Sequence, residues 1–320
     1  MMVPTNARPH DDPRNARVWL RRELLKQGFD DRAIRRQLAN GQLVRVRHSA
    51  YTDAAAWSGL DVAGRHRLRA RAVLKQAKTP VVLSHGSGLP EYDAPTWRID
   101  LSNVHVTRRD GKAGRTEAGV QQHCGTINPG DVVERHGVAV MNGTRLALEV
   151  TTMASVEASL CVVNHLLHAG ETTPLLLAQR YDSMDNWPNT LTTDLVLRLA
   201  DPRIESVGET RVYYACYREG LPMPQPQYEI ENADRTIVAR VDFAWPDLGV
   251  FLEFDGKIKY EKLLKKGERA SDVVIREKQR ESLICRLTGW RCIRVTWGDL
   301  QSPARLAALI REVLFQGVAA

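Results

Sequence analysis

The chain has 320 residues, 43% of them hydrophobic and 26% charged. No apolar run approaches the roughly 20 residues needed to cross a bilayer, so it reads as a globular protein of two or three domains without membrane spans. Its net charge of +7 is uneven: residues 1–75 hold 16 Lys or Arg against 7 Asp or Glu, leaving 29 against 31 for the remainder, and the basic N-terminal part is suited to a polyanion. The 5 cysteines are scattered with no C-x-x-C pair, which excludes a disulfide framework and a zinc ribbon. The first residues lack an apolar signal core, and a cytoplasmic protein is expected.

Residues 1–15, with Pro4, Pro9 and Pro13, are expected to be disordered. Val18, Leu20, Leu24 and Leu25 then space as one helix ending near Gly28. Asp30 or Asp31 can cap a second helix that stops at Asn40-Gly41. L-V-R-V-R-H-S-A-Y-T follows as an alternating strand. Helix, tight turn, helix and β-wing is the layout of a winged helix-turn-helix, expected over 16–60. In it Arg32, Arg35 and Arg36 would form an exposed arc, with Ile34 and Leu38 facing inward. Arg45 and Arg47 would share one strand face, opposite Val44 and Val46. A short helix in the major groove and a basic wing on the phosphates would use these five arginines on double-stranded DNA.

Residues 61–202 read as a mixed α/β region. Helices are expected at 66–77, near 144–154 and 156–169, and over Leu191–Leu199, with strands around Val104–Val106 and Val138–Val140. Histidines are frequent here (His85, His105, His123, His136, His165, His168), but no H-E-x-x-H spacing occurs. Cys161, His165 and His168 fall on nearby helical turns, and Ser84-His85 has no acid at a telling distance in sequence.

From 203 to 320 the expected order is α-β-β-β-α-β-α, a unit large enough for its own core. Its centre is a hairpin, R-V-D-F-A-W-P-D-L-G-V-F-L-E-F-D, with Pro246–Gly249 as the turn. If Trp245 pairs with Val250, Asp242 falls opposite Glu253 on one face, with Asp255 one pleat further. Like charges so placed repel unless compensated. Mg²⁺ or Mn²⁺ held by Asp242, Glu253 and Asp255 would convert that repulsion into coordination. Lys257 or Lys259 is the basic partner expected nearby.

The stretches E-T-R (209–211), G-L-P-M-P, R-V-D-F-A-W-P, E-F-D-G-K-I-K-Y, R-E-K-Q-R-E and G-W-R-C-I-R-V-T-W, in that order, resemble the PD-(D/E)xK nuclease superfamily, in particular its very-short-patch-repair-like DUF559 members. That resemblance implies a restriction-endonuclease-like α/β fold, a Mg²⁺-dependent phosphodiesterase, and catalytic roles for Glu209, Asp242, Glu253 and a lysine. One departure stands out: two residues after Glu253 the motif requires lysine, and this chain has Asp255. The lysine has either moved to Lys257 or Lys259, or the working pair is Asp255 with Lys257, or the fold is inactive. The N-terminal stretch G-F-D-D-R-A-I-R-R-Q-L-A-N-G-Q-L-V-R-V-R-H-S-A-Y, with V-V-L-S-H-G-S-G-L and G-T-R-L-A-L-E-V, resembles AbiEi-family antitoxins. This implies a promoter-binding repressor, with a cognate toxin and a homodimer as partners. The fold expectation is therefore a multi-domain α/β chain: winged helix, middle α/β domain, nuclease-like domain.

Overall fold

The structure, a computed structural model, describes residues 12–184, 187–232, 234, 236–256 and 270–316. It is mixed α/β and divides into two compact units, residues 1–197 and 198–320. The segments 16–60 and 61–197 thus belong to one unit.

The N-terminal unit begins with a short 3₁₀ turn, Pro13–Asn15, capped by Asp12. Residues 12–15 are therefore structured, contrary to the expectation for 1–15. Strand β1 (Trp19–Leu20) leads into α1 (Arg21–Lys26), α2 (Asp31–Ala39), β2 (Leu43–Arg47) and β3 (Ala50–Asp53). The first helix is thus shorter than its apolar spacing suggested. Trp19 and Leu20 pair with Tyr51 and Ala50, and Glu23 Oε2 reaches back to accept from Leu20 N at 3.0 Å, fixing the helix start there. The sheet order is β1-β3-β2, leaving β2 as an open edge. One face carries Leu24, Ile34 and Tyr51, with Phe29 and Leu38 packed against them. The other carries Val18, Leu20, Val46 and Ala50 against Leu68 and Ala72. These last two come from α4 (Val62–Gln76), which follows the short α3 (Ala54–Ser58).

A second sheet has the order β6-β7-β5-β4-β9-β8. Its strands are β4 (Val81–Leu83), β5 (Val104–Arg108), β6 (Thr116–Glu117), β7 (Val120–His123), β8 (Val132–Arg135) and β9 (Val138–Met141). Pairs β4/β9 and β5/β7 are parallel and the others antiparallel. Helices α5 (Gly143–Thr151), α6 (Val156–His168), α7 (Pro174–Asp182) and α8 (Thr193–Leu199) follow. Eight of the nine residues of α5 and nine of the thirteen of α6 are buried, which makes them the helical core of the unit.

The C-terminal unit comprises α9 (Val207–Arg218), β10 (Gln225–Glu231), β11 (Ile237–Trp245), β12 (Val250–Asp255), α10 (Ala270–Thr288), β13 (Arg291–Thr296) and α11 (Pro303–Phe315). Its sheet runs β10-β11-β12-β13, antiparallel except for the parallel β12/β13 pair. Phe243, Trp245, Val250, Leu252 and Phe254 pack with Val212 and Cys216 of α9 and Ile310 and Leu314 of α11. Val241, Ala244 and Phe251 pack on the opposite face with Ile284 of α10. A central strand covered on both sides explains the near-continuous apolar run of β12. Helix α9 sits close because residue 208 is glycine: a Cβ there would lie 2.0 Å from Phe254 Cε1. Gly208→Ala is expected to destabilise this unit by about 1–3 kcal/mol through overpacking, read as a lower urea midpoint.

Candidate nucleic-acid interface and carboxylate cluster

The basic surface is built from α2 and β2. Asp30 caps α2, its Oδ1 accepting from Ala33 N at 2.6 Å, and Ile34 is buried beneath. Arg32, Arg35 and Arg36 are exposed. Asp31, the acid nearest to them in sequence, is bound by Arg21 at 2.5 Å. Arg32, Arg36 and Arg45 form no ion pair among the described residues, and Arg35 Nε donates only to Asp31 O at 3.3 Å. On β2 the expected alternation holds as far as Arg45. A bulge then shifts the register, so Arg45 pairs with Tyr51 and Arg47 with Ala50. Bulges twist a strand locally, and Arg47 lies half-buried, with burial lowering its pKa, while Arg45 stays exposed.

In the C-terminal unit the hairpin pairing is Trp245–Val250, Ala244–Phe251 and Phe243–Leu252. One step beyond, the expected Asp242–Glu253 pair is replaced by another arrangement. Asp242 Oδ2 accepts from Phe254 N at 2.7 Å, so a carboxylate takes the place of a ladder carbonyl. The alternation of β11 breaks at this point, since Val241 and Phe243 pack on opposite faces of the sheet. On the neighbouring strand Gln227 has φ +51°, and its pairs on either side (Pro226–Phe243, Tyr228–Val241) stay in one register. Gln227 Nε2 donates to Glu209 Oε2 at 3.1 Å. Glu209, buried at the start of α9, also accepts from Glu205 N at 3.0 Å and from Ser206 Oγ at 2.6 Å, so it acts as a capping residue. Glu253 is bound on the α10 side by Arg280, Nη2 to Oε1 at 2.7 Å, and the same Nη2 donates to Arg240 O at 2.5 Å. Asp255 is half-buried at the end of β12. Lys257 and Lys259 lie outside the described residues. Glu281 on α10, within the R-E-K-Q-R-E stretch, is paired with Arg294 at 2.7 Å.

The Mg²⁺ or Mn²⁺ implied by the nuclease resemblance would need these carboxylates turned toward one point. Among the described residues no group of three or more His, Cys, Asp or Glu is arranged to hold a metal ion. Glu209 caps the start of α9, Asp242 accepts from Phe254 N and Glu253 pairs with Arg280. No hydrolytic step is assigned to a metal.

The middle region holds polar groups that linear spacing concealed. His85, His105 and His123 form a stack, with ring centroids 3.7 Å apart for His85–His123 and 5.2 Å for His105–His123. Below them the fully buried Glu149 accepts from His85 N at 2.8 Å and pairs with Arg145 at 2.9 Å. The i,i+4 spacing of Arg145 and Glu149 in G-T-R-L-A-L-E was the available signal. Ser84 Oγ and Glu149 Oε2 both approach the same ring nitrogen, His85 Nδ1, at 3.1 and 3.5 Å. A hydrolytic triad needs nucleophile and acid on opposite nitrogens, so this is not one. Cys161 is buried and His165 Nε2 lies 3.3 Å from Tyr92 O, consistent with structural roles.

Among the described residues no helix is long and apolar enough to cross a membrane. No protein-family model matches the chain. Two similar proteins, "Uncharacterized protein MT2308" and "Uncharacterized protein Rv2248" from two Mycobacterium tuberculosis strains, are each 34% identical over 120 residues. The match takes in 37% of this chain and 41% of each relative, so less than half of either protein is compared.

Proposed function

We propose that the chain is a DNA-binding regulator of the repressor or type IV antitoxin kind. In this reading residues 16–60 act as a winged helix-turn-helix, with α2 in the major groove and β2 against the phosphates. The observation that carries it is the arginine face of α2, exposed and in no ion pair among the described residues, backed by a packed small sheet. Arg32, Arg35 and Arg36 meet the duplex, and Arg45 and Arg47 flank it. The C-terminal unit uses a nuclease-related sheet to hold nucleic acid or a partner without cutting. A cognate toxin and a homodimer on two half-sites are the partners this reading implies.

A second reading, a Mg²⁺- or Mn²⁺-dependent endonuclease with a restriction-endonuclease-like C-terminal domain, is favoured by one observation. Asp242 and Glu209 are buried carboxylates at adjoining elements, which a purely structural sheet rarely requires. One experiment separates the two: duplex binding by anisotropy in EDTA, with supercoiled plasmid incubated in parallel with Mn²⁺. Binding that weakens about tenfold or more in Arg35→Ala/Arg36→Ala, with no nicking, supports the regulator. Nicking that disappears in Asp242→Ala/Glu253→Ala moves the assignment to the endonuclease. A wild-type protein that neither binds nor nicks DNA refutes both.

A further inference from the structure

Arg65 and Arg69, four apart on α4, both lie over the ring of Trp57, with their guanidinium carbons 5.5 and 5.7 Å from its centroid. Arg65 Nε also donates to Trp57 O at 3.3 Å. Two cations at i,i+4 repel each other on a helix, and among the described residues neither has an acid partner. A stacked ring holds such guanidiniums in place without cancelling their charge.

Their position on the fold follows from what the rest of α4 touches. Leu68 and Ala72 point into the core under Val46 and Ala50. On one flank Lys75 Nζ donates to Val18 O at 2.7 Å and pairs with Glu23 at 2.9 Å, which ties that flank to the β1 side. On the other flank Gln76 Nε2 donates to His48 O at 2.7 Å, at the turn joining β2 and β3. Arg69 precedes Gln76 by seven residues, two helical turns, and so shares its flank with Arg65. Because the sheet order is β1-β3-β2, that flank borders the open edge of β2. Arg45 pairs with Tyr51, on the face of β2 turned away from α4, whereas the bulge sets Arg47 opposite Ala50, so cations line both sides of one strand edge.

We infer that Arg65 and Arg69, pre-positioned on Trp57, form a second row of contacts to the phosphodiester backbone of duplex DNA along the β2 edge. This rests on the DNA-binding reading above and adds to it residues outside the helix-turn-helix. Prior immobilisation of the two side chains reduces the ordering cost of each contact.

The test uses the full chain and a labelled duplex of mixed sequence, about 25 base pairs long, in EDTA, with affinity measured from about 50 to 300 mM KCl. Arg65→Gln/Arg69→Gln keeps cover over Trp57 but removes both charges. It is expected to reduce the log–log salt slope by about two contacts and to weaken binding about tenfold or more near 100 mM salt. Trp57→Leu leaves the charges but not their support, and is expected to weaken binding several-fold with the slope retained. The inference is overturned if the double variant matches wild type in both slope and affinity. It is equally overturned if Arg109→Gln/Lys112→Gln, removing two exposed charges elsewhere in the unit, lowers the slope as much. A wild-type protein that binds no duplex at any of these salt concentrations sinks the DNA-binding reading itself.

Discussion

Replacing Glu91 by alanine is expected to destabilise the N-terminal unit by about 3–5 kcal/mol, the range for breaking a buried ion pair from one side. Glu91 is fully buried and accepts from Arg67 Nη2 at 2.9 Å and from Arg71 Nη2 at 3.1 Å, with His136 Nδ1 at 3.2 Å. Arg67 is itself 1% exposed, so without Glu91 its charge would have neither water nor a carboxylate. Burial pushes the Glu91 carboxyl up, but the Arg67 hydrogen bond and the two guanidinium charges bring it below its usual value. The acid is therefore ionised in the fold at neutral pH. The paired variant Arg67→Met/Glu91→Leu removes both charges with their desolvation cost and is expected to recover most of the loss. Urea unfolding of the three proteins is the measurement. A loss below about 1 kcal/mol for Glu91→Ala would mean that solvent reaches Arg67.

Mild acid is expected to unfold the same unit. Burial lowers the pKa of His66 to about 4 and those of His85 and His123 to about 3, from an ordinary value of 6.5. At His66, where Nδ1 donates to Leu101 O at 3.0 Å and Nε2 faces Ser87 Oγ at 2.8 Å, a second proton would put a charge in a site closed to water, and that burial is the main cause of the lowering. A folded-state pKa below the unfolded value means stability is complete above pH 6.5 and declines as pH falls toward 4 and 3. At pH 5 each such histidine is expected to cost roughly 2 kcal/mol, large against a domain stability of about 5–15 kcal/mol. Glu149 acts in the opposite sense: burial raises its pKa, so its contribution favours the fold as pH falls, partly offsetting the loss in the acid part of the window. The melting temperature should drop between pH 6.5 and 5, and less steeply in His66→Gln. A flat profile would show that the unfolded chain gains no protons over the fold.

What the sequence disclosed follows the range of each interaction. The hairpin register was legible because Pro246–Gly249 fixes the turn and the residues on both sides alternate. The break at Asp242 was not, because it arises from Gln227 on a third strand and from the backbone amide of Phe254. The position of α2 was legible from Asp30 and Asn40-Gly41, which are local caps. Strand β1 was hidden inside a helical pattern because Trp19 and Leu20 are held by β3, thirty residues on. The histidine stack joins three strand ends in a parallel and antiparallel sheet, and no linear spacing encodes that. Of the candidate carboxylates, Asp242 and Glu253 were expected to face each other across the hairpin, but Asp242 accepts from Phe254 N and Glu253 pairs with Arg280, which comes from the R-E-K-Q-R-E stretch of a helix distant in sequence. The lysine question concerns Lys257 and Lys259, outside the described residues.

The parallel pairing of β12 with β13 has a consequence for the chain as it is made. Val250 to Asp255 form a central strand, yet its second neighbour, Arg291 to Thr296, is about forty residues further on. A nascent chain leaving the ribosome can close the β11–β12 hairpin at once, but must wait for the crossover before the other edge of V-F-L-E-F is covered. At synthesis rates of about 5–20 residues per second this leaves a β-rich apolar edge open for seconds. Glu253 and Asp255, whatever else they do, place charge on that edge during the interval in which it is most prone to pair with another chain.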